Sequence, residues 1–268
     1  MLKKIVIFLC FFSLAKAQDS LRYSIDLNRL QNDRLRVEVQ LPKGVKEFCF
    51  PKIVPGTYAI YNFGRYVGNF QAFDAAGKAV SVVRKDTNTF YCPTASSLSY
   101  EVDDTWDSPE IKGPYIFEPA GTNFQQDTLF ALNTHAILGY VKDREQLPVS
   151  LYLKTPKGLV ASSSLVAHND IFAASNFQKL TDAPILVAPA DTVHIRMANA
   201  DILISVYSPN QKIKASEVAK ELKPLLKAQL HYLGGRFPVN NYAFLIVMSA
   251  HLKNGSYGAL EHAQSSFY

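Results

Sequence analysis

Residues 34–41 read RLRVEVQL, and this stretch decides the fold class. Leu35, Val37, Val39 and Leu41 alternate with charged or polar residues. A repeat of two residues is typical of a β-strand that has one face in a core and the other in water. Similar short apolar runs recur along the chain, at residues 78–83, 89–92, 98–102, 129–132, 149–154 and 202–207.

Turn-forming sequences separate these runs, and no long helical periodicity interrupts residues 21–207. The turns are rich in Gly, Pro and Asn, which favour tight reversals of the chain. They lie at residues 42–44, 76–78, 156–158 and 208–210. Many short strands with regular turns predict a mainly β chain whose N-terminal domain is an antiparallel, β-sandwich-like structure.

The character of the sequence changes after Pro209. Residues 215–233 read ASEVAKELKPLLKAQLHYL and precede two glycines, which predicts a helix. Pro224 leaves two alternatives, a kinked helix or a short helix followed by a second one that begins near this proline. The apolar run at residues 242–249 predicts a strand buried on both faces, and residues 255–260 predict a short edge strand.

This order of helix, buried strand and edge strand indicates the beginning of an α+β domain. The sequence therefore predicts three parts: a signal peptide at residues 1–17, an N-terminal β domain at residues 18–198, and the start of a second domain at residues 199–268.

The signal peptide is predicted from a basic start, an apolar run at residues 5–14 and the small-x-small sequence Ala15-Lys16-Ala17. The alternative is a retained N-terminal anchor. Cleavage after Ala17 removes three basic residues, so the net charge falls from +5 to 5 − 3 = +2. A balance this small favours neither nucleic acid nor an acidic membrane surface as a partner. We expect a periplasmic or extracellular protein that is not an integral membrane protein once the signal is cleaved.

Cys49 and Cys92 remain after this cleavage. In an oxidising compartment they could form a disulfide, and the alternative is two buried free thiols. The sequence leaves both possibilities open.

Six histidines stand at positions 135, 168, 194, 231, 251 and 262, and no two of them are four residues apart. That spacing would let two imidazoles on one helix face bind zinc. A complete metal site is therefore not visible. Structural or surface roles are predicted for His135, His168 and His194.

Two stretches are more distinctive, IVPGTYAIYNFGRYV at residues 53–67 and YGALEHAQSSFY at residues 257–268. Together with DAPI at 182–185 and GRFP at 235–238, they resemble the bacterial glycyl aminopeptidases, metallopeptidase family sixty-one. Pro55-Gly56-Thr57-Tyr58 and Phe63-Gly64-Arg65 are similar to that family's N-terminal signature. Residues 258–262, Gly-Ala-Leu-Glu-His, with Ser265 shortly after, are similar to its approach to the active site, with Ala259 in place of a second glycine.

The resemblance implies a β domain followed by a thermolysin-like (gluzincin) zinc domain that acts on peptides with a free N-terminus. It implies a substrate-binding stretch of Gly258, Ala259, Leu260 and Glu261. The Glu261 carboxylate would hold the substrate's α-ammonium group, the strand would pair with the peptide backbone, and the two small residues would let that backbone approach.

The aromatic N-terminal stretch has a different predicted role. Tyr58 and Arg65 are interpreted as packing and domain-interface residues. The rest of the aromatic set is predicted to lie in the core: Tyr61, Phe63, Tyr66 and Phe70.

In that family the metal-binding His-Glu-x-x-His helix follows the stretch at which this chain ends, Tyr268. The resemblance therefore implies zinc in the full-length family, but no catalytic residue, metal ligand or bound zinc in this chain, and no activity of the chain alone. Our leading hypothesis is the N-terminal portion of an exported zinc aminopeptidase, and the family name implies a preference for Gly or Ala. Whether it is an enzyme by itself, and its oligomeric state, are left open.

The alternative is a stand-alone secreted β-sandwich module that binds a peptide or a glycan. The two hypotheses differ in what they expect of the surface. The peptidase hypothesis predicts exposed apolar surface where further helices would pack. The binding-module hypothesis predicts a closed fold that buries Leu260 and Phe267 and binds no zinc.

Overall fold

The computed structural model describes residues 19–106, 115–248 and 257–268. The predicted signal peptide lies outside the described residues, as do His251 and the ends of two predicted strands, residues 249 and 255–256. No helix within the described ranges is both long enough and apolar enough to cross a bilayer.

Fifteen strands and a short helix form the first part of the described chain. In chain order they are β1 (Leu21–Asp26), β2 (Arg34–Gln40), β3 (Glu47–Cys49), β4 (Val67–Phe73), β5 (Ala79–Val80), β6 (Val83–Arg84), β7 (Thr89–Tyr91), β8 (Ser97–Asp103), β9 (Thr122–Gln125), β10 (Leu129–Leu132), β11 (Tyr140–Val141), β12 (Val149–Lys154), β13 (Leu159–Ser162), β14 (Ile171–Ala174), α1 (Phe177–Thr181) and β15 (Ile185–Pro189).

Five strands and a long helix form the second part. They are β16 (Thr192–Met197), β17 (Ala200–Tyr207), α2 (Ala215–Tyr232), β18 (Asn241–Val247), β19 (Leu260–Glu261) and β20 (Ser265–Phe267). The mainly β prediction is confirmed.

The first part contains three sheets. Sheet 1 has the strand order β14-β12-β1-β2-β8-β4-β5, sheet 2 the order β13-β15-β10-β9, and sheet 3 the order β11-β3-β7-β6. Most neighbours are antiparallel, as expected, but β1 pairs with β12 in parallel. The long connection between these two strands contains all of sheet 3 and half of sheet 2, and it allows this direction because parallel neighbours need a crossover.

A large apolar core lies where sheet 1 packs against the other two sheets. Every second residue of β2 points into it, and Leu35, Val37 and Val39 are at most 1% exposed. This confirms the orientation predicted from the alternating pattern. Buried tyrosines join the layers, because the hydroxyl of Tyr100 donates to the carbonyl of Ile137 at 3.1 Å. A buried hydroxyl needs such a partner.

The apolar run predicted at residues 78–83 is not one strand. Its first half is β5, at the edge of sheet 1, and its last residue begins β6, at the edge of sheet 3. The chain changes sheets within this run. Such a corner is a common way to join two packed sheets.

Sheet 4 has the order β16-β17-β18-β20-β19, with parallel pairing of β17 with β18 and of β18 with β20. Its β16 and β17 form an antiparallel hairpin. Sheet 4 therefore begins at Thr192, a few residues before the boundary proposed from the sequence.

Helix α2 connects β17 to β18 and is continuous through Pro224, so the two-helix alternative is wrong. The helix begins where the backbone N–H of Ala215 donates to the Asp191 carboxylate, at 3.2 Å to its nearer oxygen. It ends at Tyr232, and Gly234 and Gly235 shortly after it both have positive φ. Glycine is favoured there because it adopts the left-handed conformation without strain.

The two faces of sheet 4 have different neighbours. Ala243, Leu245 and Val247 of β18 are buried against sheet 2 of the first part. The opposite residues of β18, such as Tyr242 and Phe244, are only half-buried, because α2 covers just part of that face. The strand predicted to be buried on both faces is therefore fully buried on one.

Candidate functional site

The sequence stretch that resembles a substrate-binding strand forms β19, the outermost strand of sheet 4. Leu260 pairs with Phe267 of β20, and Glu261 pairs with Ser266. Because successive side chains of a strand point to opposite faces, Leu260 and Glu261 face in opposite directions. Leu260 is buried at 2% exposure, whereas the side chain of Glu261 is exposed.

Leu260 packs against the first part of the chain, in a cluster with the predicted aromatic signature. Gly56 is especially close: a Cβ atom at this position would lie 3.4 Å from the Cδ1 atom of Leu260. Its φ of +88° also favours glycine. The other buried members of the cluster are Val54, Tyr61, Phe63, Tyr66, Ile116, Ala120 and Ala136. The two distinctive stretches of the sequence therefore meet in space.

Most of the aromatic set belongs to the core, as predicted. Tyr61, Phe63 and Tyr66 are at most 4% exposed, and the half-buried ring of Phe70 stacks on Phe90 with 4.1 Å between the ring centroids. Tyr61, Phe63 and Tyr66 pack in the same cluster as Leu260.

The prediction for Tyr58 was wrong. Its side chain is fully exposed and its φ is +54°, so it does not pack against the described residues. The chain reverses just before it, where the Thr57 hydroxyl donates to the Val54 carbonyl at 2.7 Å. This turn directs Tyr58 outward. Arg65 is half-buried, and its guanidinium lies 4.8 Å from the ring centroid of Tyr66.

Gly258, at the start of the candidate stretch, also lies against the first part of the chain. A Cβ atom here would lie 2.9 Å from the Cδ atom of Pro119 and 3.0 Å from the Cε2 atom of Phe117. Ala259 beside it is exposed. The strand is thus held on the N-terminal domain at Gly258 and Leu260, and Glu261 is left accessible.

A polar cluster lies beside the strand and consists of the half-buried Asp182 with the buried side chains of His262 and His135. One carboxylate oxygen of Asp182 lies 2.9 Å from Nδ1 of His262, and the other accepts the backbone N–H of Ala263 at 3.0 Å. The His262 side chain is 2% exposed. In the sequence Asp182 stands out only as part of the DAPI stretch, because nothing in the local pattern reveals a partner 80 residues away.

The pKa values of Asp182 and His135 depend on burial and on the neighbouring charged groups. Burial alone would raise the pKa of Asp182, but the hydrogen bonds from His262 and Ala263, with the nearby imidazoles, outweigh it and hold the pKa below its usual value. Burial lowers the pKa of His135 to about 4, and His262 adds to this effect while Asp182 opposes it. His135 is therefore neutral at pH 7.

The remaining predicted surface histidines are at the surface. His168 is exposed, and His194 pairs with Asp201 at 2.9 Å while half of its side chain remains accessible. Within residues 19–106, 115–248 and 257–268, no group of three or more His, Cys, Asp or Glu side chains is placed to hold a metal ion.

An apolar groove of about 640 Å³ runs between α2 and the half-covered face of sheet 4. Leu225 and Leu233 on its helix side are 53% and 46% exposed. Ser266, the partner of Glu261 across the strands, lies in the opposite wall, so the side chain of Glu261 is on the groove's face of the sheet. Other lining residues are Leu222, Phe237, Tyr242, Phe244, Ala263 and Tyr268.

Comparison with known families gives one match that covers most of the chain. Residues 22–189 match the model of the peptidase M61 N-terminal domain. The chain belongs to the M61 peptidase family. The resemblance inferred from the signature residues is thereby confirmed, and the matched region ends at the last residue of β15.

The fold of this M61 chain resembles that of a solved structure. An aminopeptidase N family protein from Idiomarina loihiensis superposes with a TM-score of 0.76 at 17% identity, over 92% of this chain and 41% of that protein. An M1 zinc metallopeptidase from Deinococcus radiodurans gives 0.42 at 12% identity, over 93% of this chain and 59% of that one. Yeast LTA4 hydrolase in complex with bestatin gives 0.47 at 9% identity, over 94% and 40%.

The M61 chain therefore spans about two fifths of the length of the Idiomarina protein, 41%. No curated protein matches its sequence.

Proposed function

We propose that this chain is the N-terminal portion of an exported zinc aminopeptidase, in which Glu261 binds the α-ammonium group of a peptide substrate. One observation carries the proposal. The Glu261 carboxylate is exposed on the outermost strand of sheet 4. Gly258 and Leu260, which precede Glu261 in the sequence, are fixed on the N-terminal domain. Membership of the M61 family supports the peptidase class.

The backbone of β19 supports pairing with an extended peptide. The N–H of His262 donates to Ser265 of β20 at 2.8 Å. Because the groups of successive residues alternate in direction, the N–H and C=O of Glu261 point away from β20. No strand in the described part of the chain pairs with that outer side. A peptide could thus be added as a further strand.

The carboxylate would make the site selective for chain ends. A hydrogen bond between a carboxylate and an ammonium contributes about 1.5–3 kcal/mol, and an internal amide carries no charge to form it. Exposure to water reduces this contribution, so a small peptide should gain an amount near the lower end of that range.

The apolar groove supports the incomplete-peptidase part of the proposal. A groove with exposed Leu225 and Leu233 beside half-buried Phe244 is suited to cover by further helices. We propose that the zinc-binding part of the full-length enzyme packs there, on the face that carries Glu261. In that arrangement the second domain begins with sheet 4, near Thr192, and residues 1–17 direct export to the periplasm or cell exterior.

The binding-module alternative expected Leu260 and Phe267 to be buried, and they are, at 2% and 1% exposure. This burial does not separate the hypotheses, because both side chains pack on the N-terminal part of the chain whether or not further helices follow. The groove supports the peptidase hypothesis, which predicts exposed apolar surface where further helices would pack.

The test compares trialanine with N-acetylated trialanine as ligands of the wild-type chain and of Glu261→Gln, by NMR titration. We expect the free peptide to bind more tightly to the wild type, and Glu261→Gln to weaken it by about tenfold, which corresponds to about 1.4 kcal/mol. Binding of the acetylated peptide should not change.

Glu38→Gln is the matched control, because Glu38 is an exposed carboxylate on a strand of sheet 1. It should leave both affinities unaltered. Equal binding of free and acetylated peptides to the wild type would overturn the proposal.

A further inference from the structure

Asp182 joins the N-terminal domain to the residues directly after Glu261. It caps the C-terminal end of α1, next to β15. Its two carboxylate oxygens bind two successive residues, the imidazole of His262 and the backbone N–H of Ala263. A carboxylate that accepts two such bonds fixes both a side chain and the local backbone.

The bond also fixes the state of the imidazole. Since the Asp182 carboxylate is an acceptor, Nδ1 of His262 must carry the proton. The side chain is 2% exposed, and Nε2 has no hydrogen-bond partner among the described residues. Rotation of the ring would break the one hydrogen bond that holds it, so Asp182 determines its orientation.

The position of Glu261 depends on such anchors because β19 is short. The strand has two residues and pairs on one side only, so its own hydrogen bonds stabilise it little. Leu260 is anchored before Glu261 by apolar packing, and His262 is anchored after it by Asp182. Both anchors reach the N-terminal domain.

We propose that Asp182 is a positioning residue for substrate binding, which acts through His262 and Ala263 to hold Glu261 at the open edge of sheet 4. This rests on the proposed role of Glu261 in binding the substrate's ammonium group. The N-terminal domain thus sets the place of a substrate-binding carboxylate that belongs to the second part of the chain.

The first experiment replaces Asp182 by Asn in the whole chain and follows hydrogen exchange of the backbone amides, with no ligand present. Asparagine has an NH₂ group in place of one of the two carboxylate oxygens, and that group cannot accept, so the bonds from His262 and Ala263 cannot both be kept in their present geometry. We expect the amides of His262 and Ala263 to exchange about tenfold faster. The ¹⁵N NMR signals of His262 should also lose the pattern of a fixed protonated Nδ1.

The matched control is Asp201→Asn. Asp201 also pairs with a histidine, His194, at the same 2.9 Å, but on the β16–β17 hairpin at the opposite edge of the sheet. This variant should leave exchange at residues 262–263 as in the wild type. A change of equal size there would overturn the proposal.

Two substitutions of His262 distinguish a positioning role of Asp182 from a purely stabilising one. His262→Asn keeps a donor that can reach Asp182, whereas His262→Leu has none. We expect Asn to preserve trialanine binding and Leu to weaken it about as much as Asp182→Asn does, by about fivefold to tenfold. Equal binding by the Asn and Leu variants would overturn the proposal, and it can be measured even if Asp182→Asn does not fold.

Different results of the binding and exchange measurements would contradict the two proposals. If Glu261→Gln weakens trialanine binding but Asp182→Asn alters neither exchange nor binding, the positioning role of Asp182 is wrong. If Glu261→Gln has no effect on binding while Asp182→Asn speeds exchange, the ammonium-binding role of Glu261 is wrong, and with it the functional role of Asp182.

Discussion

Gly258 and Pro119 are in such close contact that a Cβ atom at position 258 would lie 2.9 Å from the Cδ atom of the proline ring. The ring is rigid, and the ring of Phe117 closes the other side at 3.0 Å. Gly258 does not have a positive φ, so alanine is acceptable to its backbone and only the contacts oppose it. The absence of a side chain at Gly258 therefore allows the proposed substrate-binding stretch to lie on the N-terminal domain.

We predict that Gly258→Ala displaces β19 and lowers the free energy of unfolding by about 1–3 kcal/mol, as overpacking of a tight contact does. Urea denaturation measures this change. Trialanine binding should weaken at the same time, because Glu261 moves with the strand.

Gly68→Ala is the control for this substitution. Gly68 lies in β4, its φ is not in the left-handed region, and no atom lies within 4 Å of a Cβ built there. Its unfolding free energy should stay within about 0.5 kcal/mol of the wild type. Similar losses in the two variants would contradict the role given to the contact with Pro119.

Leu260 is predicted to stabilise the junction between the two parts of the chain. Leu260→Ala removes a fully buried side chain from the cluster around Val54 and Phe63, and such changes cost about 2–5 kcal/mol. Chemical denaturation followed by tyrosine fluorescence measures the loss. Leu225→Ala, at a position on α2 that is 53% exposed, should change stability by less than about 0.5 kcal/mol.

The regular strands could be read from the sequence. The predicted runs at 129–132 and 149–154 coincide with β10 and β12. The first is continuously apolar and the second alternates over its whole length, and each ends at a turn. The helix at residues 215–233 was equally clear, and it ends one residue earlier than predicted.

Pro224 shows where local rules were insufficient. A proline inside a helix costs about 3 kcal/mol or more, which is why a break was considered. The helix continues because Ala219 before the proline and Leu226 after it are both buried against sheet 4. The free energy gained by packing on the sheet outweighs the local cost of the proline inside the helix.

The candidate site could be found from its motif, but its surroundings could not. The motif indicated Glu261, and the structure places this residue on an edge strand. The bond between Asp182 and His262, and the contact between Gly56 and Leu260, join residues that are distant in sequence. No periodicity encodes such pairs, because they depend on how two sheets pack.

Cys49 and Cys92 are free and buried, so of the two alternatives considered, the structure has the free thiols. Cys49 lies opposite Thr89 on β7, whereas Cys92 follows β7 and its N–H donates to Lys46. Cys92 is three residues beyond Thr89, so the two cysteines are about 10 Å apart along the strands. A disulfide requires Cα atoms within about 7 Å, so the two cannot pair without movement of the backbone.

We predict that neither thiol reacts with Ellman's reagent in the folded protein, and that both react in guanidinium chloride. Burial raises the pKa of Cys92 to about 11 and also raises the pKa of Cys49, which lowers the fraction of reactive thiolate. Rapid labelling of Cys92 under native conditions would contradict its burial.

His135 gives the protein a specific loss of stability in weak acid. Its pKa falls from an ordinary 6.5 to about 4 on folding, because the imidazole is buried beside His262. Between these values the unfolded chain binds a proton that the folded chain does not, so the free energy of unfolding decreases as the pH falls through this range. The total loss is about 3 kcal/mol, at about 1.4 kcal/mol per pH unit.

Thermal unfolding measured from pH 7 to pH 4 checks this prediction. His135→Gln cannot titrate, so the difference in stability between wild type and variant should narrow or reverse as the pH falls from 6.5 to 4. Titration of Asp182 does not interfere with this measurement. Its folded pKa is lowered, so the stability that it contributes is present above its unfolded pKa near 4 and is lost only at lower pH. A difference between wild type and His135→Gln that is constant across this range would show that His135 is accessible to protons in the folded state.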